Sequence, residues 1–225
     1  MNDTKSLKIN AYSKLFLMPF VLGLAFFLPA GTFDYWQAWV YMAVIGIPAF
    51  FLIKHMLKYN QELMRRRMQF KEKEKTQTKL VNYGSIIYIF LYLLPGFDRR
   101  FIWSSVPDWL VIISNIIVFL GYLIVIVVFK QNSYASRIVE VEEGQTVITN
   151  GLYSVVRHPM YIGTLLMMLA TPLALGSYWA LIPAMFMPGI LIIRIFTEEK
   201  VLRKNLIGYN EYCEKTKYRL IPFIW

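Results

Sequence analysis

The residues whose types and spacing could do chemistry lie in the last third of the chain. From Asn150 to Gly163 it reads NGLYSVVRHPMYIG, and beyond one apolar stretch it reads Arg194-Ile-Phe-Thr-Glu-Glu. The first run holds one of only two histidines, an arginine beside an apolar segment, and a proline where a helix would begin. Ionisable groups are costly at the edge of a bilayer, so their clustering there marks a functional site. Asn150-Gly151 is a turn pair, and Pro159 suits the first turn of a helix, where its missing N–H would have no partner. His158 then stands at or next to the N-cap, where unpaired backbone N–H groups favour an anionic group such as a ligand carboxylate. His158 and Tyr161 share a face, and Gly163 permits close approach of a ligand or a neighbouring helix. Arg194 and Glu198 also share a helix face, in the spacing of a simple ion pair, while Glu199 points to an adjacent one. Tyr209, Tyr212, Tyr218, Pro222 and Trp225 form an aromatic tail that could fold back over the mouth of the site, where aromatic faces attract organic cations.

The elements that must position these residues are transmembrane helices. Of the 225 residues 57% are hydrophobic and 17% charged, with a mean hydropathy of +0.45, which excludes an ordinary soluble domain. Six apolar segments can be drawn: Leu15 to Ala30, Trp36 to Leu57, Leu80 to Phe97, Trp109 to Phe129, Pro159 to Leu175 and Tyr178 to Phe196. The first and fifth are short. The first resembles a secretory signal, but no small-residue cleavage site follows, so it reads as a retained anchor. Gly176 and Ser177 alone separate the last two segments, which predicts a tight hairpin kinked by Pro172, Pro183 and Pro188, with a crevice between helices. The expected fold is an all-α polytopic membrane protein of about six helices: a single membrane domain over 1–225, with variable N-terminal helices over 1–97 and a catalytic, cofactor-binding region over 130–225.

The link from Lys54 to Lys79 holds nine basic residues, which puts it in the cytoplasm and, after six crossings, brings both termini and the candidate site to the same side. Arg99 and Arg100 then fall outside, beside Asp98 and Asp108. The formal charge of +10 arises largely in that link, so nucleic-acid binding is the wrong inference. Leu57, Gln61, Met64 and Met68 recur at helical spacing, which fits a helix on anionic headgroups or a solvated loop. A single cysteine, Cys213, excludes an intrachain disulfide, and His55 and His158 lie too far apart to read as a metal-ligand pair.

Nucleotide-binding glycine loops, nucleophile elbows and zinc-protease motifs are missing from the sequence. The order GLYSVVRHPMYIG, a hairpin with Leu-Gly-Ser at its bend, RIFTEEKVL and then GYNEYCEKTKYRLIP resembles the isoprenylcysteine carboxyl methyltransferase family and its phospholipid N-methyltransferase relatives. The likeness covers about the last eighty residues. It implies a methyltransferase that binds S-adenosylmethionine at the cytosolic mouth through Gln145, Thr146, Val147, Ile148, Tyr153, Arg157, His158, Pro159, Met160, Tyr161, Gly163 and Glu198. It also implies that Arg194 contacts the acceptor, and Glu199 or Glu198 is the nearest base should that acceptor be an amine. One departure is the absence of the histidine common near Gln145 or Thr146. The implied partners are membrane lipids and a lipophilic or prenylated acceptor from the bilayer; no metal is required.

Two other classes compete. Membrane sterol reductases share an arginine-proline-tyrosine helix start and a tyrosine-rich tail, and would demand arginines to clamp the NADPH phosphate. A transporter or lipid-binding gate would place charges in several helices along a path across the bilayer, whereas here they gather at one face. The identity of the acceptor, O- or N-methylation and the oligomeric state are not encoded in these motifs.

Overall fold

The computed structural model describes residues 2–68, 75–136 and 138–225, and among them every regular element is helical. Five stretches are long and apolar enough to cross a bilayer: α1 (Asn2–Ala30), α2 (Trp36–Tyr59), α4 (Lys75–Phe101), α5 (Asp108–Gln131) and the run Leu181–Asn205, most of which is α8 (Met187–Asn205). The fifth apolar segment is α6 (Pro159–Ala174), shorter as expected. Small helices α3 (Gln61–Met68), α7 (Leu181–Ala184) and α9 (Tyr209–Lys215) complete the chain. The outward faces of the long helices present Phe16, Leu28, Ile47, Phe51, Ile112 and Ile116, an apolar surface that water would not tolerate. The chain is an integral membrane protein.

Three boundaries depart from the sequence pattern. The first helix is not short: nothing interrupts it before Pro19, so the helix takes in Lys5, Lys8 and Lys14. The sixth segment is broken at Met185 and Phe186, because Pro183 and Pro188 each lack an N–H; α8 restarts with Pro188 in its first turn and runs on to Asn205. The bend at Gly176 is present, yet α6 packs chiefly on α5 rather than on α8. Gly121 and Gly163 allow this: a Cβ on Gly163 would lie 2.5 Å from the Gly121 carbonyl oxygen.

The far end of α6 is pinned by polar groups that lipid cannot satisfy. Tyr35 donates to the Leu175 carbonyl at 2.5 Å, Asn115 to the Ala174 carbonyl at 3.2 Å, and Tyr41 bonds Thr171 at 2.9 Å. Buried Asp98 accepts the hydroxyl of Ser177 and both the N–H and hydroxyl of Ser104. Arg99 turns not to Asp98 or Asp108 but to Asp34, at 3.4 Å.

Where the basic link is described, its apolar positions face the protein while Lys54, Lys58, Glu62 and Lys79 are exposed. Leu57, Leu63 and Met64 are buried in the protein, and Met68 packs against the same cluster. Arg66 meets Glu142 at 2.6 Å and the Ser133 carbonyl at 2.8 Å. Lys71, Glu72, Lys73 and Glu74 of the link lie outside the described residues.

Candidate active site

The run opens on the expected turn. Gly151 adopts φ +58°, a left-handed conformation that side chains disfavour, and leads into a single 3-10 turn over Gly151–Ser154. Gln131, the last residue of α5, accepts the Leu152 N–H at 3.0 Å and so ties this turn to the transmembrane bundle. The N–H groups of Arg157 and His158 then bond the carbonyls of Tyr218 and Arg219, both at 2.9 Å, so the C-terminal tail lies alongside the start of α6. His158 occupies the N-cap and Pro159 the first turn, but the histidine side chain does not cap.

That side chain joins a buried charge cluster instead. Glu199 accepts from Arg157 Nε at 2.7 Å and from Arg219 Nε at 3.0 Å, with His158 Nε2 3.3 Å away. Arg157 also donates to the carbonyls of Thr216 and Lys217 at 3.0 and 3.1 Å. Burial of a carboxylate is tolerated when it is paired and hydrogen-bonded in this way. Glu199 does not line the cavity described next, and its oxygens are committed to three cationic or imidazole partners, which suits a strut and not a base. Arg157 reaches the cavity wall but is tied to Glu199 and to the tail.

Beside the cluster lies a cavity of about 100 Å³. Gln145, Thr146, Val147, Ile148, Tyr153, Arg157, His158, Pro159, Met160, Tyr161, Arg194 and Glu198 all line it, as does the tail through Tyr209 and Tyr212. Tyr218 and Trp225 do not, packing against Phe223 and Phe196. Gly163 is also outside, buried in the α5–α6 contact. Sequence reading missed the segment after α5, where Asn132, Tyr134, Ser136, Ile138, Val139 and Glu140 complete the wall. Nothing in its composition marks it; the signal was its place between a span and the Gln145 run.

Polar groups converge on the cavity. Tyr161 donates to Glu198 at 2.5 Å and accepts from Arg194 Nε at 3.1 Å, so its hydroxyl bridges the arginine and the carboxylate. Tyr153 accepts from Asn132 at 2.9 Å, and Tyr212 donates to the Tyr153 carbonyl at 2.7 Å. Burial pushes the Tyr153 phenol up to about 12, against a lowering by Asn132 and with a further push from Glu198. Tyr209 and Tyr212 are raised by burial as well, so all three act as neutral phenols at neutral pH. The Tyr209 hydroxyl is buried with no partner except the adjacent Cys213 thiol, a weak one.

A second cavity, about 310 Å³, opens between α4, α6 and α8. It is the crevice expected from the kinked segments, with α4 as a third wall. Leu80, Val81, Tyr88, Met168, Met187, Ile190 and Leu191 make it mostly apolar, and Ser136, Met160, Tyr161 and Arg194 line both cavities. A polar space and a mostly apolar space thus share these four residues.

Residues 109–207 match the phospholipid methyltransferase family. A stretch of 85 residues, 36% of the chain, is 31% identical to the Delta(14)-sterol reductase of Mus musculus; the match spans only 20% of that relative's length. A solved structure of the eukaryotic intramembrane Ras methyltransferase, isoprenylcysteine carboxyl methyltransferase, covers 96% of this chain and 85% of its own at 14% identity and a TM-score of 0.48, a likeness too distant to bear on function. The family match runs from α5 through α8, the helices that carry most of the wall common to the two cavities, so this part of the chain is similar to the phospholipid methyltransferases.

Proposed function

We propose that the protein transfers a methyl group from S-adenosylmethionine to a lipid-like acceptor, with the cofactor in the polar cavity and the acceptor in the apolar one. The observation that carries this reading is the wall the cavities share at Met160, Tyr161 and Arg194. The donors present fit the cofactor: it offers a carboxylate, a ribose diol, an adenine and a cationic sulfonium. The polar cavity supplies a helix start, a carboxylate, tyrosine faces and an orphaned tyrosine hydroxyl. When bound, it supplies an already activated methyl group for in-line displacement, so positioning can provide most of the rate.

Each residue then has a task. The first turn of α6, from His158 to Tyr161, and the segment from Gln145 to Ile148 hold the cofactor's polar parts, together with Tyr153 and Glu198. Arg194 orients an anionic acceptor group, held at its Nε by Tyr161. Should the acceptor be an amine, Glu198 is the carboxylate on the cavity wall beside Tyr161 and Arg194, and it takes Glu199's place as the candidate proton acceptor. The polar cavity belongs to the region from 130 onward, while the acceptor cavity borrows a wall from α3 and α4. The basic link argues that this end of the bundle faces the cytoplasm, where the cofactor is available.

The local identity to a sterol reductase supports one rival, an NADPH-dependent reduction. Against it, of the arginines at the polar cavity, Arg157 is tied to Glu199, leaving a poor clamp for a nucleotide phosphate. Calorimetry in detergent with S-adenosylhomocysteine and with NADPH decides between them. We expect saturable binding of the first; binding of NADPH alone would overturn the methyltransferase reading.

A further inference from the structure

We propose that a third cavity, between the basic ends of α2 and α5, holds the phosphate of an anionic lipid head group. The cavity measures about 260 Å³ and shares no residue with the polar or the apolar cavity. Leu52, Met56 and Phe129 form its floor, all three buried in one apolar cluster of the bundle. His55, Tyr59, Asn60, Lys130 and Ser133 make the rest of the wall, and among the described residues no carboxylate joins them. Leu52, His55, Met56 and Tyr59 recur at the spacing of a single helix face, so one side of α2 supplies both floor and polar wall. The cavity therefore grades from apolar core to exposed basic and hydroxyl groups where two spans end. Basic pockets placed in this way between transmembrane helices are where anionic head groups bind.

The groups on this wall suit an anion, and those around it do not compete. Lys130 and His55 are exposed and, among the described residues, carry no ion pair. The His55 imidazole lies 4.8 Å from the Tyr59 ring, and Lys58 lies 4.8 Å from the same ring, which adds positive charge beside the cavity. Glu62 and Glu142 both turn to Arg66, at 3.6 and 2.6 Å, and neither lines the cavity. Helix C-termini repel anions through their bare carbonyls. Here the Met56 and Val128 carbonyls accept the N–H groups of Asn60 and Asn132, both at 2.8 Å, while those of Leu57 and Ser133 accept Gln61 at 3.1 Å and Arg66 at 2.8 Å. Asn60 donates to the Ser133 hydroxyl at 3.0 Å and accepts the Leu63 N–H at 3.1 Å, so the Ser133 hydroxyl is an acceptor whose own proton is left for a phosphate oxygen. An ammonium, an imidazole N–H and a hydroxyl thus border one space, and bonds from a charged donor to phosphate are the strong kind. A cationic head would instead meet Lys130.

The test keeps the full chain in neutral detergent and reads retained lipid by native mass spectrometry, with phosphatidylglycerol and phosphatidylcholine offered at equal concentration. The second lipid balances its phosphate with its own ammonium. The wild type should retain phosphatidylglycerol about tenfold better, in line with one charge-assisted hydrogen bond. Lys130→Gln should lose most of that preference, and so should His55→Phe, which keeps a ring beside Tyr59. Lys54→Gln removes an exposed charge from the same helix but not from the cavity wall, and should keep the preference. Equal retention of the two lipids by the wild type overturns the proposal, as does an unaltered preference in Lys130→Gln. A loss in Lys54→Gln as large as in Lys130→Gln also overturns it, because general surface attraction would then explain the binding. In a second arm, dodecyl phosphate and inorganic phosphate compete with bound phosphatidylglycerol. Dodecyl phosphate should displace it at concentrations where inorganic phosphate does not; equal competition would make free phosphate the ligand and overturn the lipid assignment. Should a variant fail to fold, the wild-type preference and the competition arm still decide.

Discussion

Replacing Glu199 by glutamine separates a strut from a base. The carboxylate is 3% exposed and accepts from Arg157 at 2.7 Å and Arg219 at 3.0 Å, with His158 at 3.3 Å. Glutamine keeps one acceptor but turns an amide N–H toward donors and removes the charge that balances a fully buried guanidinium. Breaking one partner of a buried pair costs about 3–5 kcal/mol. The low end applies, because the Arg219 side chain is 26% exposed and can recover water. At roughly 2–4 °C per kcal/mol for a chain of this size, melting in detergent should fall by about 10 °C. Turnover per folded molecule, measured well below the new midpoint with a methyl acceptor, should stay within about tenfold. A base in the reaction path would behave oppositely, with an unchanged midpoint and a loss of about 10²–10⁴ in turnover. That second pattern would refute the strut assignment and restore Glu199 as a catalytic residue.

Glu198→Ala should weaken S-adenosylhomocysteine binding by about tenfold or more, because it removes a cavity carboxylate that is also the acceptor of the Tyr161 hydroxyl; calorimetry checks this. Arg194→Ala should leave that affinity nearly intact and depress methyl transfer, read by labelled-methyl incorporation, as expected of a group that faces the acceptor. Gly163→Ala should destabilise by about 1–3 kcal/mol in thermal melts, since its Cβ would sit 2.5 Å from the Gly121 carbonyl oxygen, with no loss of cofactor affinity. The partly open space of about 100 Å³ is smaller than the ~300–1,000 Å³ of small-molecule sites, and we expect the wall over 132–136 and 138–148 to shift when ligand enters. Hydrogen exchange over 132–148 should therefore slow when S-adenosylhomocysteine binds, and unaltered exchange there would count against that motion.

Most of the cavity was legible because its residues cluster in two short runs whose chemistry is out of place beside lipid. The pattern of Pro159, Tyr161, Arg194 and Glu198 needs only helical periodicity to bring its members together. What was illegible depended on contacts across the chain. Helical spacing puts Glu198 on the face of Arg194 and Glu199 on the next, but what Glu199 meets there depends on Arg219, which arrives from a distant segment. Gly163 could serve a ligand or a helix, and only the arrival of Gly121 decides. The basic link obeys the topology rule whether solvated, on lipid or docked, and its docking depends on Ser133 and Glu142, far along the sequence. The break near Met185 follows from Pro183 and Pro188, which a hydropathy window averages away.

The shortness of α6 explains why both its ends are so heavily bonded. Sixteen residues rise about 24 Å at ~1.5 Å each, less than a hydrocarbon layer of about 30 Å. Immersion in lipid cannot fix the depth of such a helix, since neither end must coincide with an interface. Protein contacts set it instead: Tyr35, Asn115 and Tyr41 at the C-terminal half, the tail and the Glu199 cluster at the start, and the Gly121–Gly163 crossing between them. The first turn of this helix contributes to the wall between the two cavities, so on the proposed function a shift along its axis would displace cofactor and acceptor relative to each other. A misplacement of about 1 Å is enough to cost a reaction of this kind roughly 10²-fold. Residues remote from the cavities, Asn115 and Asp98 among them, therefore belong to the positioning of the site as well as to the stability of the bundle.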